Sequence, residues 1–312
     1  MMTIRYFAAG DDDRRFVDTL LGDRDFSTVY AGPRSADAMR AATSSILATH
    51  AYSIDAPGLD IAPCDIAGVP CERIAAGAAD RESSELIVFL HGGGFVRGSL
   101  ALGRRSAIEL AVLTRRPVLA IGYRQAPEHR FPAAGNDMLA VYRSLVDQGY
   151  DAQSLVVVGE SSGGCLALTL PEWLRRNRCP APAGIVGICP MADLRMDSVS
   201  WYVNAARDIA TREMGARMIE LYIDAGSTAD PLAAPLFTPY DATANVLLCV
   251  GANEVMLSDV ERFADHAARA GATVALNLYE AMPHGFTKFD TPLARSAMQH
   301  VAAWCVTRLT RR

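Results

Sequence analysis

A chain of 312 residues, half of them hydrophobic, can bury a large core, and an α/β chain of this size is often one domain carrying an insertion. The net charge of −5, with no basic cluster beyond the terminal Arg311-Arg312, argues against nucleic acid as a partner. No apolar run reaches the roughly 20 residues of a membrane-spanning helix, and Met1–Phe7 lacks a signal peptide's apolar core, so we expect neither a span nor an export signal.

The seven cysteines are scattered along the chain, mostly inside apolar runs, without C-x-x-C pairs or metal-binding spacing. We therefore expect buried thiols in a reducing cytoplasm, and neither a metal nor a cofactor. Lys288 is the only lysine of the chain.

The N-terminal region contains two helix-like segments, at about residues 12–21 and 36–50, ahead of any strong strand signal. They cannot form the core of a sheet, so we predict that residues 1–50 are an N-terminal helical lid. Short runs at Leu59–Ile66 and Val69–Ile74, joined by Ala67-Gly68, then predict an antiparallel hairpin at a sheet edge.

From Glu85 onward, apolar runs alternate with helical patterns, which predicts a mostly parallel sheet with helices on both faces. Reactive groups should then collect in loops at the carboxyl ends of the strands. The predicted strands are Leu86–Leu90, Val118–Tyr123, Leu155–Val158, Ile185–Cys189, Val246–Val250 and Val274–Tyr279. The predicted helices lie near residues 103–115, 133–148, 162–176, 258–271 and 293–309.

The alternation lapses between Asp193 and Val246, a stretch longer than a usual connection. Helical periodicity over Trp201–Ile223 predicts a second cap segment at about residues 198–228. Five large side chains of this segment either face a substrate pocket or pack the cap against the body: Trp201, Tyr202, Met214, Met218 and Tyr222.

The strand Leu155–Val158 runs into Gly159-Glu160-Ser161-Ser162-Gly163-Gly164, a G-x-S-x-G pattern followed by a helix. In this context the pattern is typical of a nucleophile elbow, a sharp turn that lifts Ser161 out of the sheet. The amide of Ser162 would then lie at a helix N-terminus, where positive partial charge stabilises an oxyanion. Glu160 is expected to make a buried hydrogen bond that fixes the elbow.

A second glycine-rich loop, His91-Gly92-Gly93-Gly94, follows the strand Leu86–Leu90. Its spacing matches neither a P-loop nor a dinucleotide-binding fingerprint. An H-G-G-G loop supplies backbone amides to a developing oxyanion, so Gly92 and Gly93 are predicted to join Ser162 as donors. The two loops together predict a serine-hydrolase site.

A serine hydroxyl needs a base and an acid that orients the base, in the chain order Ser, Asp or Glu, His. His266 and His300 lie in amphipathic helices and are expected on the surface, whereas His284 lies between Pro and Gly just past the last strand. We therefore predict His284 as the base. Glu254 and Asp259 both follow the strand Val246–Val250; Glu254 is preferred because Asp259 is suited to capping the next helix.

Three further acidic residues have structural interpretations. Asp193 is expected to cap a turn, and Arg124, Glu128 and Asp137 to form an ion-pair and capping network.

Five stretches, in family order, resemble the hormone-sensitive lipase family of bacterial esterases within the α/β-hydrolase fold. They are His91 through Ser99; Tyr123 through Glu128 with Phe131-Pro132-Ala133-Ala134; Gly159 through Gly164; Asp230-Pro231-Leu232 with Pro235-Leu236; and Met282-Pro283-His284-Gly285-Phe286. Three departures stand out: G-E-S-S-G-G replaces the usual G-D-S-A-G-G, Gln125 replaces a common leucine, and Glu254 before Val-Met replaces an aspartate before Pro-Leu.

The resemblance implies a Ser161, Glu254 and His284 triad, oxyanion amides of Gly92, Gly93 and Ser162, and a catalytic domain over residues 51–312 behind the cap. It implies hydrolysis of small-molecule esters with short to medium acyl chains, or of small lactones. Many members form homodimers, so a homodimer is an expectation here. The alternatives are an acyltransferase or natural-product-modifying enzyme with the same triad, and a non-catalytic binding protein, which the filled triad positions disfavour.

Overall fold

A mostly parallel sheet forms the centre of the computed structural model, which describes residues 1–22, 35–50, 54, 56–81 and 83–310, with the backbone alone for 44–50 and 79. Its nine strands lie in the order β1-β9-β8-β7-β6-β4-β5-β3-β2. All neighbours are parallel except β5 with β3 and β3 with β2. The strands are β1 Met2–Phe7, β2 Asp60–Ile66, β3 Val69–Ala75, β4 Leu86–Leu90, β5 Val118–Ile121, β6 Leu155–Glu160, β7 Gly184–Ile188, β8 Asn245–Gly251 and β9 Thr273–Tyr279.

Helices cover both faces of this sheet. The described helices are α1 Asp11–Gly22, α2 Ala36–His50, α3 Ala78–Arg81, α4 Leu100–Thr114, α5 Ala133–Asp147, α6 Ser162–Asn177, α7 Ser200–Val203, α8 Arg212–Tyr222, α9 Leu257–Arg269 and α10 Pro292–Leu309. Short 3₁₀ turns occur at Ala152–Ser154, Ala225–Ser227, Pro235–Phe237 and Phe286–Lys288.

The core consists of two apolar layers, one on each face of the sheet. Along β4, Val88 joins the layer packed by α5, α6, α8 and α9, whereas its neighbours Ile87 and Phe89 join the layer packed by α1, α4 and α10. Successive side chains of a strand point to opposite faces, so a strand buried on both sides must be apolar throughout. This is why the central strands appear in the sequence as uninterrupted apolar runs, and all six strands predicted after Glu85 are present.

The first strand, β1, was not predicted. Residues 2–7 pair in parallel with β9, from Met2 opposite Val274 to Phe7 opposite Tyr279, so the prediction that residues 1–50 lie outside the sheet is wrong for this segment. As an edge strand, β1 leaves Ile4 and Tyr6 largely exposed. Its partner lies at the far end of the chain, and no local pattern specifies such a pairing.

The two N-terminal helices occupy different places. Helix α1 packs in the layer of α4 and α10, where Asp13 accepts a hydrogen bond from the amide of Leu293. Helix α2 instead reaches the glycine loop, since Arg40 donates to the carbonyl oxygens of Val96 and Ala126 and forms an ion pair with Glu128. Residues 23–34, between these helices, lie outside the described residues. A cap role for α2 and for residues 198–228 stays a prediction.

Among the described helices, none combines the length and apolar character required to cross a bilayer.

Two isoleucines give a matched test of this layering. Replacing Ile87 with Ala, in the central strand β4 where its exposure is 0%, should lower the free energy of unfolding by about 2–5 kcal/mol, because the surrounding core cannot close the cavity. Ile4→Ala on the edge strand, where exposure is 54%, should change it by less than about 0.5 kcal/mol. Urea unfolding followed by circular dichroism measures both, and equal losses would contradict the assigned layers.

Candidate active site

Ser161 lies on a strained turn between β6 and α6. Its φ of 53° and ψ of −115° are rare for a residue with a side chain, and the backbone is held there by its amide, which donates to Ile188 O at 2.9 Å. The glycines on either side allow a very close approach. A Cβ on Gly159 would lie 2.1 Å from Gly163 O, and a Cβ on Gly163 would lie 2.1 Å from Leu90 O.

The predicted base and the preferred acid lie next to this serine. His284 Nε2 is 3.0 Å from Ser161 Oγ, and His284 Nδ1 is 2.8 Å from Glu254 Oε2. Glu254 is fully buried, and its other oxygen accepts the amide of Gly251 at 2.6 Å. A carboxylate only accepts, so Nδ1 carries the proton and Nε2 is left to accept the serine proton.

The competing acid and bases lie elsewhere. Asp259 accepts a hydrogen bond from Trp201 Nε1 at 2.8 Å, and burial raises its pKa to about 6. His266 contacts the carbonyl oxygen of Thr238, and His300 contacts the hydroxyl of Tyr279; both are half-buried rather than fully solvated. Of these candidates, His284 is the histidine next to Ser161 and Glu254 is the acid next to His284, whereas the other three have different partners.

The H-G-G-G loop packs directly against the elbow. A Cβ on Gly92 would lie 3.2 Å from the Cβ of Ser161, and Gly93 has a φ of 128° that favours glycine. Among the hydrogen bonds of the described residues, none occupies the amides of Gly92, Gly93 or Ser162. Gly92 and Gly93 line the same cavity as Ser161, and Ser162 follows Ser161 at the start of α6.

His91, which begins that loop, is a structural residue. Burial lowers its pKa to about 4, so the imidazole is neutral at neutral pH. It stacks on Tyr123 with ring centroids 4.3 Å apart, and the Tyr123 hydroxyl donates to His91 O.

Gln125 has a role that the sequence did not indicate. Its side-chain oxygen accepts the amide of Gly98 at 2.8 Å, and its nitrogen donates to Gly98 O at 2.5 Å. A leucine, common at this place in the family resembled, could make neither bond. Gln125 therefore fixes the far end of the glycine loop.

Glu160 pairs with Lys288, which lies four residues after His284. The Lys288 Nζ to Glu160 Oε2 distance is 2.7 Å, and the carboxylate is almost fully buried. Burial opposes ionisation of Glu160, but Lys288, with Ser106 and Arg105, outweighs it and holds the pKa of Glu160 below its ordinary value. The sequence predicted a buried hydrogen bond for Glu160, and the structure gives it an ion pair with the chain's only lysine.

The other structural assignments were mostly right. Asp193 accepts the amide of Arg195 and binds its guanidinium, as expected for a capped turn. Arg124 pairs with Asp137, but Glu128 pairs with Arg40 rather than with them.

Two cavities of the described chain open on Ser161 and His284. One, of about 90 Å³, lies beside Gly92, Leu102, Ile209, Lys288 and Phe289. The other, of about 20 Å³, lies under residues 198–228 and is lined by Met191, Met214, Met218, Met256 and Trp201. Of the five cap side chains, three thus line a cavity, whereas Tyr222 stacks on Phe95 and Tyr202 is exposed.

One group of potential metal ligands was found in the described residues, formed by Cys189, Glu254 and His284, whose ligand atoms lie within 4.8 Å of one another. Burial and the neighbouring Glu254 raise the pKa of the Cys189 thiol well above its ordinary value, so it stays protonated. A protonated thiol is a poor metal ligand, and His284 already bonds Glu254 and Ser161. The residues present therefore suit hydrogen bonding rather than metal binding.

Comparison with known proteins finds relatives of this chain. Residues 87–288 match a family model described as the alpha/beta hydrolase fold. An esterase of Acinetobacter venetianus is 32% identical over 250 residues, which are 79% of this chain and 82% of that protein. An acetyl-hydrolase of Streptomyces hygroscopicus is 33% identical over 206 residues, which are 65% of this chain and 69% of that protein.

The chain is also similar in structure to solved proteins. A hormone-sensitive lipase from a metagenome library superposes with a TM-score of 0.88 at 27% identity, over 97% of this chain and 100% of that one.

Because Gly163 packs tightly against Leu90, adding one methyl group at position 163 should strongly affect stability and the reactivity of Ser161. Gly163→Ala should force α6 away from Leu90 and lower both the unfolding free energy and the rate at which a fluorophosphonate labels Ser161, because the serine and its base would separate. Gly226→Ala is the matched control, since a Cβ there meets nothing within 4 Å. Labelling of the Gly163 variant at the wild-type rate would contradict the packing described.

Proposed function

The chain belongs to the α/β-hydrolase family, among the hormone-sensitive-lipase-like esterases, and on that premise we propose that it hydrolyses small carboxylic esters through a Ser161, His284 and Glu254 triad. The observation that carries the proposal is the continuous pair of hydrogen bonds from Ser161 Oγ through His284 to Glu254. A hydroxyl becomes a useful nucleophile when an oriented base stands within hydrogen-bond distance.

In the acylation step, His284 Nε2 takes the proton of Ser161 as Oγ attacks the ester carbonyl carbon. The carbonyl oxygen becomes an oxyanion, which the amides of Gly92, Gly93 and Ser162 would stabilise. His284 then gives its proton to the leaving alcohol as the ester C–O bond breaks, and an acyl-serine remains. Glu254 keeps Nδ1 protonated and stabilises the imidazolium that exists between these transfers.

In the deacylation step, water takes the place of the alcohol. His284 removes a proton from the water, and the water oxygen bonds to the acyl carbon. The bond between the acyl carbon and Ser161 Oγ then breaks. Ser161 recovers its proton from His284, and the carboxylic acid is released.

The cavities support short to medium acyl esters or small lactones as substrates. The methionine-lined cavity, at about 20 Å³, is on the order of the 10–15 Å³ that one water molecule requires, so only a small group enters it without side-chain movement. Methionine side chains are flexible and can yield to a somewhat longer group. The similarity to an acetyl-hydrolase points to the short end of this range.

Ester hydrolysis by the purified protein tests the proposal directly. We expect p-nitrophenyl acetate and butyrate to be hydrolysed faster than laurate, and Ser161→Ala to lose activity by several orders of magnitude, because no other group can form the acyl-enzyme. Spectrophotometric rates over the acetate-to-laurate series measure both. A folded wild-type protein inert toward every ester in the series would contradict the proposed function.

The two acids after β8 provide a matched pair for the triad. Glu254→Gln should lower kcat about 10³- to 10⁴-fold, because an amide facing His284 favours the wrong tautomer, and should leave KM nearly unchanged. Asp259→Asn should keep kcat within about threefold, since its partner is Trp201. If the Asp259 variant were the more damaged of the two, the assignment of the acid would be wrong.

A further inference from the structure

A second carboxylate, Asp208, lies beside the proposed triad and comes from the inserted segment between α7 and α8. It is 6% exposed. Its Oδ1 accepts the amide of His284 at 2.7 Å, and its Oδ2 accepts the amide of Val255, which follows Glu254, also at 2.7 Å. One side chain thus ties the backbone of the base to the backbone of the acid loop.

Other side chains of the same segment hold the acid loop at further points. Asn204 Nδ2 donates to Glu254 O at 2.9 Å, and Ser200 Oγ donates to Val255 O at 2.6 Å. The loop after β8 is irregular and cannot satisfy these groups by itself, and buried backbone groups without partners are costly. The insertion therefore supplies the partners that keep the acid loop in place.

Asp208 differs from Asn204 and Ser200 because it can carry charge. The ionisable groups that face it are Glu254, from the loop after β8, and His284, from the loop after β9; its chain neighbour Arg207 is exposed. Burial raises the pKa of Asp208 to about 6; Glu254 adds to the rise, whereas His284 and the two amides oppose it. Above about pH 6, a second negative charge therefore faces the imidazole.

We propose that Asp208 is a positioning residue for the ester hydrolysis proposed above: it fixes His284 and Glu254 relative to each other and stabilises the imidazolium that forms during each proton transfer. Attraction between Asp208 and protonated His284 follows from their opposite charges in a buried site, where screening by water is weak. A small misplacement of a base can by itself cost about a hundredfold in rate.

A purely structural role would give a different result, and Asp13 provides the matched control. Asp13 is also a buried aspartate whose two oxygens accept backbone amides from two segments, Gly10 at 3.0 Å and Leu293 at 2.9 Å, but it lies between α1 and α10. Asp208→Asn and Asp13→Asn each place an amide against the same kind of donors. Only the first removes a charge from beside His284.

The experiment follows the rate of Ser161 labelling by a fluorophosphonate from pH 4.5 to 9, together with kcat and KM on p-nitrophenyl acetate. For Asp208→Asn we expect labelling and kcat to fall about ten- to hundredfold with little change in KM. We also expect the midpoint of the acid limb to move to lower pH, because the imidazolium loses a favourable charge. For Asp13→Asn we expect the acid limb to keep its wild-type midpoint, even if the variant is less stable than the wild type.

Two further variants keep the test decisive. Asn204→Ala removes a neutral donor to Glu254 O and should lower kcat without moving the acid limb. Should Asp208→Asn fail to fold, Asp208→Ser, which still accepts one amide without charge, carries the same expectation. The proposal would be overturned if an Asp208 variant kept the acid limb of the wild type and lost no more kcat than Asp13→Asn loses.

Amide hydrogen exchange separates this inference from the proposed function. Peptides containing Val255 and His284 should exchange faster in Asp208→Asn than in wild type or Asp13→Asn, whether or not any ester is hydrolysed. If the protein is labelled at Ser161 but hydrolyses no ester, the proposed substrate class is wrong. The positioning role of Asp208 is then tested by the labelling rate and by hydrogen exchange. Unchanged exchange at both amides would refute the positioning role.

Discussion

The close approach of helix α6 to the ends of β4 and β6 is the contact on which the site depends. Glycines at 159 and 163 leave no room for a Cβ, so the first turn of the helix lies directly against the strand ends. This contact fixes Ser161 in its strained conformation and places the amide of Ser162 at the helix N-terminus, beside the glycine loop that leaves β4. One packing constraint thus determines the positions of Ser161, of the Ser162 amide and of the glycine loop beside them.

The remaining parts of the proposed triad lie on irregular loops, and irregular backbone needs outside partners. The insertion provides them: Asp208, Asn204 and Ser200 bond the loops that carry Glu254 and His284. The same insertion also lines the small cavity, through Trp201, Met214 and Met218. The segment that lines the small cavity therefore also bonds the loops that carry Glu254 and His284, so a change in the cavity lining is expected to affect those loops.

Local patterns predicted the strands after Glu85, the elbow and the histidine loop, because apolar runs and glycine turns are short-range signals. The pattern favoured Glu254 over Asp259 only through the capping preference of Asp259, since both follow the same strand, and the contact with His284 depends on the fold. Strand β1 and the clamp between Gln125 and Gly98 depend on pairings between distant segments. Asp208, 76 residues before His284, carries no motif, so its contact required the fold.

Two features of the sequence, the glutamate before the serine and the single lysine of the chain, meet in one ion pair. The pair spans from the elbow to the histidine loop, so the longer side chain of Glu160 reaches a partner beyond the elbow itself. A buried carboxylate is stable as an anion only with a compensating charge, which makes Glu160 and Lys288 dependent on each other. Their ion pair joins the segments that carry Ser161 and His284, independently of the hydrogen bond between those two residues. Ser161 and His284 are therefore held near each other by two separate contacts, and the ion pair takes no part in the proposed proton transfer.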